Sequence, residues 1–280
     1  MVIANARIFP DDPLHKLHFD EFEYPENFIL YLGHERMRIK DPKKIHVLID
    51  FEQPNRFACP KSNHETLQIE SYYDKILTIC PWFVEKRNKV LGRDLYQHVF
   101  FPFSSRYIGI DEKIYDIVYS GNKDYGYSSI FGNYNSIWIG RAFNGYSHKD
   151  ISYDEKIKLT KRSKISFSNS ILDYKDKIQF MDSVSDTIEH IDGIIEQHKA
   201  RTIEAAFSKS LIVHLDTGQR VIEEIFTPNV DFVYYKEGIF DEILNNFEDY
   251  QHIVDNAYNK SINNYTTAHF YEKYLKPLFK

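Results

Sequence analysis

The apolar positions of this chain fall into short runs, each stopped by proline, glycine or asparagine. Ile45-His46-Val47-Leu48-Ile49-Asp50 is β-branched and apolar, reads as a buried strand, and gives way to a loop at Gln53-Pro54-Asn55. Lys75-Ile76-Leu77-Thr78-Ile79-Cys80 predicts a second strand, ended by Pro81, and His98-Val99-Phe100-Phe101 a third, ended by Pro102. Residues 1–43 read as irregular, with one apolar segment from Phe28 to Leu32. A second series opens at Asp116-Ile117-Val118-Tyr119-Ser120-Gly121-Asn122, a strand running into a small-residue turn, and Ser136-Ile137-Trp138-Ile139-Gly140 repeats that pattern. Ile151 to Arg162 has helical spacing, and so do Ile188, Ile191 and Ile194 within the polar stretch 183–198. Further strands are expected at Lys164 to Ser168, Ser210 to Leu215 and Phe232 to Tyr235, with helices from Arg201 to Ser208 and from Ile239 onward. Strands alternating with helices argue for parallel sheets covered on both faces. The break near residues 104–113 reads as a hinge and divides the chain into 1–107 and 108–280, the last helix expected to return to the first lobe.

Length and composition agree with two lobes. The 280 residues are 42% hydrophobic and 27% charged, a globular balance able to bury a substantial core. The net charge of −6 gives no field that would draw nucleic acid or an anionic membrane. Cys59 and Cys80 lack disulfide-framework or metal-site spacing, and no apolar run approaches the roughly 20 residues of a membrane span. The expectation is a cytoplasmic protein with reduced thiols. The wealth of Tyr and Phe accompanies a wealth of Ile, Lys and Asn, so it reads mainly as nucleotide bias.

Candidate chemistry concentrates in His198-Lys199-Ala200-Arg201-Thr202-Ile203-Glu204-Ala205-Ala206-Phe207 and the strand after it. A basic residue at a helix start lies beside unpaired backbone N–H groups and the positive dipole end, which suits a diphosphate. Arg201 and Glu204 share one helix face; the arginine can fork onto phosphate, with Thr202 beside it, and the glutamate can accept ribose hydroxyls. The plainer alternative is an exposed i,i+3 ion pair on an ordinary amphipathic helix. The order of elements weighs against it: basic helix start, acidic residue, alanine pair, buried strand, then acidic Ile222-Glu223-Glu224-Ile225-Phe226.

That order resembles the nucleotide-binding lobe of GT-B glycosyltransferases, closest to exostosin-like enzymes and the xylosyltransferases of large algal viruses. The resemblance covers about residues 114–275. It implies an α/β fold of two Rossmann-like lobes with a cleft between them, and sugar transfer from a UDP-sugar, UDP-xylose first among them, to a glycan hydroxyl with inversion. Cytoplasm would then include a host's cytoplasm. Tyr119-Ser120-Gly121-Asn122 matches the turn near the donor phosphates, and Arg201 and Glu204 match the diphosphate- and ribose-binding positions. Ser208-Lys209-Ser210 departs from the family, which usually has glycine there.

An inverting transfer needs a base for the acceptor hydroxyl. Ligands of open α/β sheets gather at strand carboxyl ends, which selects Glu52 first and Asp50 second. Asp74 and His64 follow, although Asp74 precedes its strand. Ser166 and Ser168 alternate on a strand and could face uracil or simply pack, and His214 reads as a core histidine. No D-x-D triad is present, so neither a metal nor another cofactor is expected beyond the UDP-sugar co-substrate. A non-catalytic carbohydrate- or nucleotide-binding module is the main alternative. An oxidoreductase ranks last, because no glycine fingerprint follows the first strand.

Overall fold

The computed structural model describes residues 1–4, 13–33, 40–51, 70–121, 126–140, 148–149, 151–172 and 195–280. Its residues form two compact units: 1–101 with 171–198 and 267–280, and 102–170 with 199–266. The sequence-based boundary at 107/108 therefore differs in two respects: residues 102–107 group with the second unit, and the described part of 171–198 groups with the first.

The first unit is built on a parallel sheet of β1 (Val2–Ala4), β2 (Phe28–Leu32), β3 (Ile45–Ile49), β4 (Lys75–Thr78) and β5 (Tyr96–His98), in that spatial order. A parallel strand covered on both faces must be apolar throughout, and β2 is buried at every position. The segment Phe28–Leu32 is thus a strand of the sheet rather than part of an irregular leader. Pro81 does not merely end a strand; it occupies the first turn of helix α1 (Pro81–Leu91), where its missing N–H costs nothing. Gly92 closes α1 in the left-handed conformation (φ 62°). Arg87 of α1 is buried and forks onto Glu70, Nε to Oε1 at 2.6 Å and Nη2 to Oε2 at 2.8 Å, while the Tyr96 hydroxyl donates to the same Oε1 at 2.8 Å. The core beneath includes Ile29, Leu48, Ile76, Phe83 and Leu95. A two-stranded antiparallel pair, β10 (Ile171–Leu172) with β11 (Ile195–Glu196), also belongs to this unit.

The second unit carries a parallel sheet of β6 (Tyr115–Ser120), β7 (Ser136–Gly140), β8 (His148–Lys149), β9 (Ser163–Ser168), β12 (Leu211–His214) and β13 (Val233–Tyr234). Its order is β13-β12-β9-β6-β7-β8. From β6 the chain moves outward one way through β7 and β8, then returns to β9 on the other side and moves outward again. The topological switch therefore lies between β6 and β9. Around the sheet lie α2 (Tyr127–Phe131), α3 (Tyr153–Lys161), α4 (Ala200–Phe207), α5 (Ile239–Asn245) and α6 (Gln251–Asn264). Ser152 caps α3 by accepting the Glu155 N–H at 3.1 Å. Ala205 and Ala206, fully buried, let α4 lie against β12. No helix among the described residues is long and apolar enough to cross a membrane.

Lys113, just before β6, ties the amino end of this sheet to two helix ends. Its Nζ donates to the carbonyls of Lys161 (2.7 Å), the last residue of α3, and Ser208 (3.0 Å), which caps α4, and to Ser210 Oγ (3.3 Å). These are the orphan carbonyls at the negative ends of both helices. Burial pushes the Lys113 amine down to about 7; the nearby Asp111 charge opposes the shift and Lys209 adds to it. The sign follows from proton counting: above that value the unfolded chain holds a proton that the folded one has released, so stability rises with pH. We expect Lys113→Met to lose this rise between about pH 7 and about pH 10, read as urea midpoints of both proteins across that interval. Parallel pH profiles for the two would show that the amine titrates alike in both states.

Candidate functional site

In open parallel sheets ligands collect at the strand carboxyl ends beside the switch point. Here that is where β6 ends in Ser120 and Gly121 and β9 in Ser168, Asn169 and Ser170, since the register pairs Val118 with Ser166 and Tyr119 with Phe167. Gly121 is held from both sides: its N–H donates to Ile139 O (2.9 Å) and its carbonyl accepts from Trp138 Nε1 (3.1 Å). A Cβ at this position would meet Tyr119 Oη at 2.5 Å and Arg201 Nη1 at 2.9 Å. Glycine is required here by close approach of side chains.

Arg201 stands in the first turn of α4, whose N-cap residue Lys199 provides no side-chain cap. Its guanidinium lies over the Tyr119 ring, 5.7 Å from the centroid, and no carboxylate among the described residues forms an ion pair with it. Ser120, Gly121 and Arg201 are thus brought together in one unit. Thr202 is buried, with its N–H on Lys199 O (3.2 Å). Ser166 is buried within β9, bracketed by Val118 and Ile212 and two residues short of the strand's end.

Glu204 is not the exposed half of a surface pair: it is 1% exposed. Its Oε2 binds Lys156 Nζ of α3 at 2.5 Å, while Oε1 is buried and has no hydrogen-bond partner among the described residues. The adjacent Tyr153 hydroxyl is pushed well above its ordinary value by burial and then by the Glu204 charge.

At the polar end of β9, sequence reading noted Ser168 beside Ser166 but not the partners of that end. His214, a core histidine as expected, is clasped by two hydroxyls, Ser168 Oγ at Nδ1 (2.8 Å) and Ser170 Oγ at Nε2 (3.2 Å), and Asn169 Nδ2 donates to Tyr127 Oη (3.3 Å). The run Ser166-Phe167-Ser168-Asn169-Ser170 was its only trace: small polar residues where a buried strand ends.

In the first unit Asp50 follows β3 at its carboxyl end, 2% exposed, with its N–H on Leu77 O (3.0 Å). Asp74 lies at the opposite edge. It accepts the His46 N–H (2.8 Å) and pairs with Lys40 (2.6 Å), so about four strand residues, roughly 13 Å, separate it from the level of Asp50. It serves to fasten the start of β3, and its place in the fold sets it apart from Asp50. Glu52 and His64 lie outside the described residues.

No protein-family model matches the sequence, and no curated protein matches it. Solved structures do match in fold. An α-glucosyltransferase solved with UDP-glucose and DNA containing an abasic site aligns with 91% of this chain and 80% of its own, at TM-score 0.59 and 9% identity. The Anabaena protein Alr3699/HepE, solved with UDP and glucose, aligns over 90% and 77% at TM-score 0.56 and 10% identity. Sucrose-phosphate synthase from Thermosynechococcus elongatus aligns over 90% and 74% at TM-score 0.54 and 8% identity. The chain thus has the α/β, two-sheet fold of GT-B glycosyltransferases.

Removing Lys156 strands a buried carboxylate. We expect Lys156→Met to cost about 3–5 kcal/mol of stability, and Lys156→Met with Glu204→Gln to recover part of it. Urea unfolding of the single and double variants reads both; a loss below about 1 kcal/mol would mean the pair is solvated.

Proposed function

We propose that the protein is a glycosyltransferase that moves a sugar from a UDP-sugar to a hydroxyl of a glycan. The observation that supports this most is Arg201: a guanidinium without a carboxylate partner among the described residues, at a helix start and against the glycine turn of the switch-point strand. The same fold occurs in proteins solved with UDP and UDP-glucose. As the bond to the anomeric carbon breaks, negative charge grows on the leaving diphosphate. A planar guanidinium already in place stabilises that charge without reorganising.

In this reading the Ser120–Gly121 turn lets the phosphates approach the backbone, and Thr202 supports the first turn of α4. Glu204 takes the ribose through Oε1, which lacks a hydrogen bond; its burial means that the cover over it opens for the nucleotide. Ser166 lies deeper and helps shape the base pocket. Arg201 and the helix end replace a divalent metal. Asp50 is the described candidate for the base that inversion requires, beside Glu52. The xylose preference rests on the exostosin-like resemblance and makes UDP-xylose the first donor to assay.

Calorimetric titration with UDP in EDTA tests the donor half. Binding is expected without metal, and Arg201→Ala should weaken it about tenfold to a hundredfold. Binding that disappears in EDTA and returns with Mn²⁺ would overturn the metal-free assignment; no binding in either would overturn the donor.

The acceptor half has its own test. Asp50→Asn keeps shape but cannot take a proton, so UDP affinity should persist while transfer collapses. The anomeric configuration of the wild-type product, followed by proton NMR, must be inverted if a base acts directly on the acceptor. A retained configuration, or full turnover by Asp50→Asn and Glu52→Gln, removes that assignment.

A further inference from the structure

Gly121 directly follows β6 and its N–H continues the ladder onto Ile139 O, so its position and that of Tyr119, two residues earlier, belong to the same face of the sheet. Glycine leaves its place on that face empty, and two other groups share it. Tyr119 Oη and Cζ lie 2.5 and 2.7 Å from the point where a Cβ would stand, and Arg201 Nη1 lies 2.9 Å from it. The arginine comes from α4, 80 residues further along the chain, and rides over the tyrosine face at 5.7 Å from the centroid.

The ring beneath it has little freedom. Tyr119 is 1% exposed and packs against Tyr127 (5.1 Å), Trp138 (5.4 Å) and Phe167 (6.1 Å) between centroids. Trp138 also fixes the Gly121 carbonyl, so platform and notch are braced by one residue. An arginine side chain free in solvent loses much rotamer entropy when it grips a ligand, and one already laid on a rigid ring loses less. The ring also attracts the cation through its quadrupole without competing for the guanidinium N–H groups, which a carboxylate partner would occupy.

We propose that Tyr119 is a positioning residue for Arg201: its ring, admitted by the side-chain-free Gly121, holds the guanidinium in place with its N–H groups available for the donor diphosphate. This rests on the nucleotide reading of Arg201 for its purpose, but the stacking itself does not.

The test separates the two. In the free protein the Arg201 Nε–H resonance should be shifted upfield by the Tyr119 ring current and lose that shift in Tyr119→Leu. Calorimetric UDP affinity should fall about fivefold to tenfold in Tyr119→Leu and be largely restored in Tyr119→Phe, which keeps the ring face. In an Arg201→Ala background the further loss from Tyr119→Leu should be under about twofold, because the partner is gone. Should Tyr119→Leu not fold, Gly121→Ala replaces it: the added methyl intrudes on both groups and should weaken UDP in the wild type but not in Arg201→Ala. An unshifted resonance, or equal losses in both backgrounds, overturns the proposal. A wild type that shows the ring-current shift but binds no UDP keeps the stacking and defeats the nucleotide reading.

Discussion

Connections that leave neighbouring parallel strands in opposite directions cannot cover the gap between those strands' carboxyl ends. In the second unit this holds for β6, which leads to β7, and β9, whose successor in the sheet is β12. The surrounding sequence follows from it. Bulky apolar residues at such a gap would face an opening, and Ser120, Gly121, Ser168, Asn169 and Ser170 stand there instead. Small polar groups withdrawn from water must find partners. His214 meets that demand for two serine hydroxyls at once, since an imidazole offers a polar atom on each side of its ring.

The buried and half-buried cations differ in their partners. Arg87 is forked onto Glu70, and Lys156 pairs with Glu204. Lys113 has three oxygen acceptors. Arg87 and Lys156 are each offset by a carboxylate, whereas burial of Lys113 outweighs its acceptors and lowers its pKa. Arg201 differs: among the described residues its neighbour is an aromatic face and no carboxylate pairs with it, so the charge is attracted without an acceptor taking its N–H groups. In the proposed function, a phosphate completes such a group.

How much of this was legible in the sequence depended on the range of the interactions. Buried parallel strands declare themselves, because both faces must be apolar; β3, β4, β6, β9 and β12 lie within or beside the runs at Ile45, Lys75, Ile117, Lys164 and Ser210. The third run belongs two residues earlier, at Tyr96–His98, since its polar strand carries less apolar signal than the Phe100-Phe101 pair beyond it. Helix α1 was hidden behind Pro81, which opens a helix as readily as it closes a strand. β11 has two residues, too few for a period, and followed an isoleucine spacing that suggested a helix. At the site, Arg201 and Gly121 could be read because order along the chain marked them. Their partner Tyr119 could not, nor could Lys156 for Glu204: one pairing spans 82 residues and the other 48, and only the folded backbone closes such distances.

The turn at Ser208-Lys209-Ser210 shows how a residue with a side chain can hold a backbone geometry that glycine adopts most readily. Glycine is common after a helix because the left-handed conformation costs it nothing, and Lys209 adopts that conformation (φ 50°). For a residue with a Cβ the cost is about 1–2 kcal/mol. Two contacts of the lysine side chain act against it: an ion pair with Asp255 of α6 at 2.9 Å, and the Tyr258 ring, 4.7 Å from Nζ to its centroid. The turn then delivers Ser210, whose hydroxyl lies 2.7 Å from the carbonyls of both Thr160 and Ser163. Thus α4 ends and β12 begins as a glycine turn would have them do, with a long side chain on α6 supplying what the missing backbone freedom would have given. The start of β12 depends on that turn, and with it the register that sets His214 between Ser168 and Ser170 at the open end of the sheet.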